Sequence, residues 1–177
     1  MDYSRWISLD EFTVNNLGVV KKINEVSMPI AFKESFYSAS VEQNNDLNQI
    51  AYFKEIPVGV IKCRLIMPTK SDGSAATKNK SSSKILPKGI YIDSLCVLEK
   101  YRRLGIASKL LEYIRDKCSE YFLHEIVCHV WVDNKEAMQF YEKNGFKVKN
   151  ALVKDYYKSY TNDLNNQTDA IYLSLTI

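Results

Sequence analysis

Apolar positions along the chain recur at two spacings, and their order outlines the elements. Arg5 to Leu9 reads as a short strand. Leu17, Val20, Ile23 and Val26 then follow helical spacing, with Thr13 as the N-cap. Pro29 ends that helix, and Met28-Pro29-Ile30-Ala31-Phe32 leads into a second helical stretch around Phe36, Tyr37 and Val41. The link is either a helix–helix connection with its apolar groups in the core or an apolar lip on a pocket. Ile50 to Lys54 and Val58 to Met67 read as a hairpin joined across Glu55-Ile56-Pro57. Thr69 to Lys84 is rich in Ser, Lys, Ala and Gly and holds no large apolar residue, which predicts a flexible insertion at about 69–84.

Gly89 to Val97 reads as the next strand, with Tyr91, Asp93 and Leu95 on one face and Ile90, Ile92 and Ser94 on the other. A basic turn follows, Tyr101-Arg102-Arg103-Leu104-Gly105, opening a helix whose Ile106, Leu110, Leu111, Ile114 and Cys118 fall on one side. Unpartnered N–H groups at a helix start hold anions, so this turn is a candidate phosphate cradle. Ile126 to Val132 reads as a strand with Ile126, Cys128, Val130 and Val132 on one face and Val127, His129 and Trp131 on the other. A strand–helix–strand unit makes its two strands parallel, with a right-handed crossover. Asp133-Asn134 starts a helix carrying Ala137, Phe140 and Tyr141 that stops at Asn144-Gly145. Phe146 to Lys149 and Ala170 to Thr176 read as closing strands around the tyrosine-rich Tyr156-Tyr157-Lys158-Ser159-Tyr160.

Composition narrows this α/β picture. The length of 177 residues suits one domain over 1–177, and 46% hydrophobic with 12% aromatic residues argues for a folded core. No apolar run approaches the ~18 residues of a membrane span, and the polar start does not read as a signal peptide. Cys63, Cys96, Cys118 and Cys128 form no C-x-x-C pair, which predicts reduced core thiols in a cytoplasmic protein without a metal site. The net charge of +3 is concentrated between Lys70 and Lys88; outside it 19 basic residues face 20 acidic ones. The balance gives no footprint for specific DNA binding.

Arg102-Arg103-Leu104-Gly105-Ile106-Ala107 fits the (Q/R)-x-x-G-x-(G/A) signature of the GCN5-related N-acetyltransferases, the GNAT superfamily. Asn134…Ala137…Phe140-Tyr141…Asn144-Gly145-Phe146 resembles that superfamily's second cofactor motif. Ala51-Tyr52-Phe53, Pro57-Val58-Gly59, Tyr101 to Ile106, His129-Val130 and Tyr156-Tyr157-Lys158 further resemble the San-type N-alpha-acetyltransferases, the catalytic subunits of the NatE complex. The resemblance implies an α/β GNAT fold, a mixed twisted central sheet of about seven strands flanked by about four helices. It also implies acetyl-CoA as cofactor. The turn Arg102, Arg103, Leu104, Gly105, Ile106, Ala107 and Ser108 would hold its pyrophosphate, and Leu95 and Val97 its pantetheine arm beside a splayed Val130 strand. Asn134 and Tyr141 would flank its sulfur end. From the residues alone, Tyr141 reads as helix packing.

By the same resemblance, Tyr91 and His129 act as a pair through an ordered water on the amine that attacks the thioester. About a tenth of α-amines are neutral at pH 7, so a modest base such as histidine is suited to an N-terminus. The other histidine, His124, reads as a surface residue. Met28, Pro29, Ile30 and Phe32 stand where the family has its Phe-Pro-Val-x-Tyr substrate lip, and Tyr156, Tyr157 and Tyr160 would form the opposite lip. Phe32 lacks the phenolic hydrogen bond of the family tyrosine. Asp93 stands where the family has an apolar residue; a carboxylate there can bind the ammonium, act as a further base or shift specificity. The implied activity is acetylation of nascent chains that begin with Met and an apolar residue. The implied partners are the auxiliary and catalytic subunits of the NatA complex and the ribosome. The rival readings are a catalytically silent subunit of such a complex and an acetyltransferase for lysines or small amines.

Overall fold

The computed structural model of the chain describes residues 3–42, 45–68, 86–160 and 167–177. Its strands are β1 (Ile7–Glu11), β2 (Gln49–Phe53), β3 (Ile56–Ile66), β4 (Gly89–Val97), β5 (Glu125–Trp131), β6 (Lys147–Val153) and β7 (Ala170–Thr176). They form one seven-stranded sheet in the order β1-β2-β3-β4-β5-β7-β6. β4 and β5 pair in parallel and every other neighbouring pair is antiparallel. The mixed sheet of the implied fold is therefore present, with α1 (Leu17–Ser27), α2 (Glu34–Glu42), α3 (Ile106–Glu120) and α4 (Lys135–Lys143) as its helices. A parallel pair needs a long crossover, and α3 supplies it.

Two apolar cores lie on the two faces. Ile106, Leu110, Leu111, Ile114 and Cys118 of α3 are all buried, as their spacing predicts, and pack with Ile61, Cys63, Ile90, Ile92, Ile126 and Cys128. Tyr141 and Phe146 bring the end of α4 into that core. The Phe146 N–H donates to the Tyr141 carbonyl (3.0 Å) and the two rings meet edge to face at 4.9 Å, which ends α4 at Asn144-Gly145. The opposite core gathers Val20 and Ile23 of α1, Tyr37 of α2, and Ile50, Val60 and Cys96 of the sheet.

Several expectations are corrected. Thr13 is not the N-cap of α1: Asn16 holds that position, and its Oδ1 accepts from the Thr13 N–H at 2.7 Å, so Thr13 belongs to the preceding turn. The hairpin turns at Lys54-Glu55, where both residues have positive φ (49° and 70°), and Ile56 and Pro57 already lie in β3. The alternation expected along β4 also fails. Lys62 pairs with Ser94 and Cys63 with Ile92, leaving Asp93 as an extra residue in a bulge. The bulge reverses the faces beyond it. Leu95 and Val97 join the α3 core, while Cys96 joins the α1 core. The predicted insertion at 69–84 lies outside the described residues.

β4 and β5 approach closely where they begin. A Cβ added to Gly89 would stand 2.6 Å from the Glu125 carbonyl oxygen, a backbone atom that cannot swing aside. Gly89→Ala is therefore expected to cost about 1–3 kcal/mol through a forced backbone shift. Chemical denaturation checks this; unchanged stability would mean that the strands separate there at no cost.

Candidate active site

The pairing of β4 with β5 covers only Ile90↔Ile126, Tyr91↔Val127 and Ile92↔Cys128, although the strands run on to Val97 and Trp131. Beyond Ile92 and Cys128 the two strands part, and a cavity opens at the gap. Leu95, Val130, Asn134 and Tyr141 line it on one side and Met28, Pro29, Ile30, Phe32 and Phe36 on another. Tyr91, Asp93, His129, Tyr156, Tyr157 and Tyr160 line it as well. One cavity thus gathers the expected proton-handling pair, every expected substrate residue and three of the expected cofactor residues.

At its centre the Tyr91 hydroxyl is hydrogen-bonded to His129 Nδ1 at 2.7 Å and to the Tyr156 hydroxyl at 2.6 Å. At 2.7 Å no water fits between Tyr91 and His129, so the pair is in direct contact. The Tyr156 ring stacks on the imidazole (4.1 Å, 12°), and the Tyr157 hydroxyl donates to the His129 carbonyl at 3.1 Å. Burial, followed by the hydrogen bond with Tyr156, keeps the Tyr91 phenol protonated well above its ordinary range. Burial first and the Arg64 guanidinium second pull the His129 imidazole down to about 4. It is neutral at pH 7.

Arg64 escaped the sequence reading. It stands opposite Tyr91 in the β3–β4 register, its guanidinium lies over the Tyr91 ring at 4.3 Å, and it lines the cavity. Its Nε donates to Asp93 Oδ1 and Lys62 Nζ to Asp93 Oδ2, both at 2.8 Å. The Asp93 carboxylate is thus engaged by two cations rather than presented to an incoming ammonium. The missed signal was charge at alternate positions, Lys62 and Arg64, in a strand otherwise built of apolar residues. Phe36, Trp131, Gln167 and Thr168 also line the cavity and were not expected at a site. The lips are joined across it: the Ala31 N–H donates to the Tyr160 carbonyl at 3.2 Å, and Phe32 stacks on Phe36 at 3.9 Å while meeting Tyr160 at 6.0 Å.

A second opening lies at the start of α3, lined by Arg103, Leu104, Gly105 and Ser108 together with Tyr3, Ser4, Lys109 and Arg115. Gly105 has φ +87°, and a Cβ built on it would meet nothing within 4 Å, so its outer side is open. Lys109 makes the bond to the Gly105 carbonyl (2.9 Å), which leaves the N–H groups of Ile106, Ala107 and Ser108 ahead of the first helical bond. Four of the expected cofactor side chains do not reach either opening. Val97 and Ile106 are buried in the α3 core and Ala107 packs against it. Arg102 turns back, its Nε donating to the Val97 carbonyl at 3.2 Å and its Nη1 pairing with Glu136 at 3.6 Å. These residues can offer the backbone, or the shape of the turn, to a ligand.

Residues 19–146 match the acetyltransferase (GNAT) family, well over half of the chain. The chain belongs to that family. It is similar to N-alpha-acetyltransferase 50 of Danio rerio, 33% identical over 153 residues, covering 86% of this chain and 80% of that protein. It is also similar to the probable N-acetyltransferase san of Drosophila melanogaster, 31% identical over 86% of this chain and 73% of that protein. Among solved structures, Arabidopsis thaliana Naa50 in complex with the bisubstrate analogue CoA-Ac-MVNAL matches with a TM-score of 0.77 and 30% identity. That match covers 97% of this chain and 99% of the other.

Within this GNAT domain the two openings differ in chemistry. The cradle offers a helix N-terminus, an open glycine and the basic Arg103, which suit a phosphate-bearing group, while Lys109 there is paired with Glu112 at 2.8 Å. The cavity at the strand gap offers apolar walls and neutral hydrogen-bonding groups, which suit an acyl thioester and an uncharged amine. Asn134 lines this cavity while its Oδ1 accepts from the Ala137 N–H at 3.0 Å, so its side chain also caps α4. Tyr141 is buried, which raises its phenol well above the ordinary range and keeps it a proton donor.

The depressed His129 imidazole leads to a direct test. By NMR, the ring should stay neutral down to about pH 4, against ~6.5 for an unperturbed histidine. Replacing the nearby cation, Arg64→Met, should move its midpoint upward; an unmoved midpoint would mean that Arg64 does not act on His129.

Proposed function

We propose that this chain transfers an acetyl group from acetyl-CoA to the α-amine of peptides that begin with Met followed by an apolar residue. The enzyme is an N-alpha-acetyltransferase, and acetyl-CoA is its acyl donor. The observation that carries the reading is the Tyr91–His129 contact at 2.7 Å, at the bottom of a cavity whose lip is the apolar Met28, Pro29, Ile30 and Phe32. An unbranched apolar first side chain such as Met suits that lip, with Phe32 stacked on Phe36 as a flat wall. The analogue carried by the Arabidopsis relative begins with Met-Val, which agrees with this preference. The proposal extends to what the resemblance to the San-type enzymes implies, action in the cytoplasm on nascent chains with NatA subunits and the ribosome as partners.

Bound acetyl-CoA supplies an acetyl group activated as a thioester. This chain's residues select, orient and deprotonate the amine. About a tenth of α-amines are neutral at pH 7, and the set of Arg64, Lys62 and Asp93, which carries one net positive charge beside the cavity, opposes entry of the ammonium form. His129 is unprotonated at that pH, so it is an acceptor from the outset. Tyr91 and Tyr156 extend the hydrogen-bonded set through which the amine proton can leave. Burial holds the Cys128 thiol up at about 12, so no thiolate is available there for a covalent acetyl intermediate, and transfer is direct.

The purified chain should acetylate a Met-Leu peptide faster than an internal-lysine peptide or a polyamine. A dominant lysine or polyamine rate would overturn the peptide reading, and absence of both turnover and acetyl-CoA binding would make the chain a silent subunit. His129→Ala should lower kcat about tenfold or more while acetyl-CoA affinity by calorimetry stays near wild type; equal loss of both would mark His129 as structural. Gly105→Asp combines a strained φ of +87° with a negative charge in the cradle and should abolish acetyl-CoA binding. Retained binding would move the cradle elsewhere.

A further inference from the structure

The Asp93 bulge does more than displace Leu95. Residues directly opposite one another on paired strands share a face, and the β3–β4 register places Val60 with Cys96, Lys62 with Ser94, and Arg64 with Tyr91. Val60 and Cys96 both lie in the α1 core, and Arg64 lies over the Tyr91 ring, so this is the face that carries Tyr91. Strict alternation from Tyr91 would have sent Ser94 to the opposite, α3 side. The extra residue returns it to the side on which Tyr91 meets His129.

Ser94 is 3% exposed, it lines the cavity, and its hydroxyl has no hydrogen-bond partner. Asn24 Nδ2, Ser27 Oγ and Arg115 Nε share that unpartnered state among the described residues, but only Ser94 stands in the wall of this cavity. A buried hydroxyl left unpaired is costly, and such groups are normally satisfied by a ligand or an ordered water. Ser94 also sits in the part of β4 that has left β5, since their pairing ends at Ile92↔Cys128. It therefore flanks the gap from the side of Tyr91 and the apolar lip.

We propose that Ser94 is a further substrate-binding residue, whose hydroxyl hydrogen-bonds the α-amine of the peptide at the β4–β5 gap. The inference rests on the acetyltransferase reading given above. A hydroxyl has one donor and two acceptor sites and no charge near pH 7. It can accept an N–H of the neutral amine while leaving the nitrogen lone pair for attack, and unlike a carboxylate it does not favour the ammonium form. Tyr91 and His129 then face the amine from one direction and Ser94 from another. The bulge is what brings the two groups together, since it places side chains of β4 on the same face at Tyr91 and Ser94.

The test compares Ser94→Ala and Ser94→Thr with the wild-type chain on a Met-Leu peptide, with acetyl-CoA affinity and melting temperature followed in parallel. Ser94→Ala should lose about tenfold in kcat/KM, the size of one lost hydrogen bond, while acetyl-CoA affinity and melting temperature stay within error. Ser94→Thr keeps the hydroxyl and should recover most of the rate. Wild-type rates in Ser94→Ala, or equal losses in both variants, would overturn the role of the hydroxyl and leave the acetyltransferase reading standing. A wild-type chain inert on every α-amine peptide would overturn both.

Discussion

Three residue pairs hold β4 against β5, and the chemistry of the chain depends on where that pairing stops. Up to Ile92 and Cys128 the strands form an ordinary parallel ladder, buried on the α3 side. Past that point each continues without the other, and backbone groups that a sheet would have consumed face a gap instead. Backbone N–H and C=O groups demand partners, so such a gap suits a ligand that carries amides of its own. The crossover helix α3 starts from the end of β4. The position of the gap therefore also fixes the position of the cradle, where Gly105 and the first N–H groups of α3 face outward.

The electrostatics of the cavity follow from the other side of β4. Lys62 and Asp93 are nearly buried, at 11% and 13% exposure of their side chains, and Arg64 is half-exposed at 56%. Two cations and one carboxylate leave this set with a net positive charge, and Arg64 and Asp93 are its members in the cavity wall. Asp93 is then best seen as the group that makes a buried Lys62 tolerable and orients Arg64, because breaking one partner of such a set strands the other. Arg64 in turn lies over Tyr91 and bears on His129, so an ion pair at the β3–β4 seam affects the Tyr91–His129 pair without belonging to it. A net positive set beside the cavity and an unprotonated imidazole both favour the neutral amine, the form that can attack a thioester.

Much of this was legible in the residues. Ile106, Leu110, Leu111, Ile114 and Cys118 specify α3 because helical spacing and burial coincide along it. Ile126, Cys128 and Val130 specify the core face of β5 for the corresponding reason at period two. The Tyr91–His129 meeting was reached only through family resemblance, since one residue of register in either strand would have separated them. The bulge at Asp93 was not legible, because an extra residue in a ladder depends on the partner strand. With it went the face of Leu95, the engagement of Asp93 by Lys62 and Arg64, and the return of Ser94 to the cavity. Thr13 failed for a local reason. Two residues with capping ability stand three apart, and Asn16, whose Nδ2 also reaches the Glu11 carbonyl at 2.9 Å, is the one that starts the helix.

The way the lips are joined agrees with the proposed choice of a chain terminus over an internal side chain. The Ala31–Tyr160 backbone bond and the Phe32–Tyr160 ring contact tie the α1–α2 link to the segment before β7. Tyr156 ties that same segment down to Tyr91. The cavity is thus roofed by two connections that are bonded to each other and to its floor, and an acceptor must be threaded beneath them. A peptide N-terminus presents one departing chain and an amine at its tip. A lysine within a protein presents two departing chains and must keep both outside while its side chain reaches in. Widening the roof would break bonds on which the position of Tyr156, and through it of the Tyr91 hydroxyl, depends. On the proposed reading, selection against internal lysines and the orientation of the Tyr91–His129 pair would rest on the same few contacts.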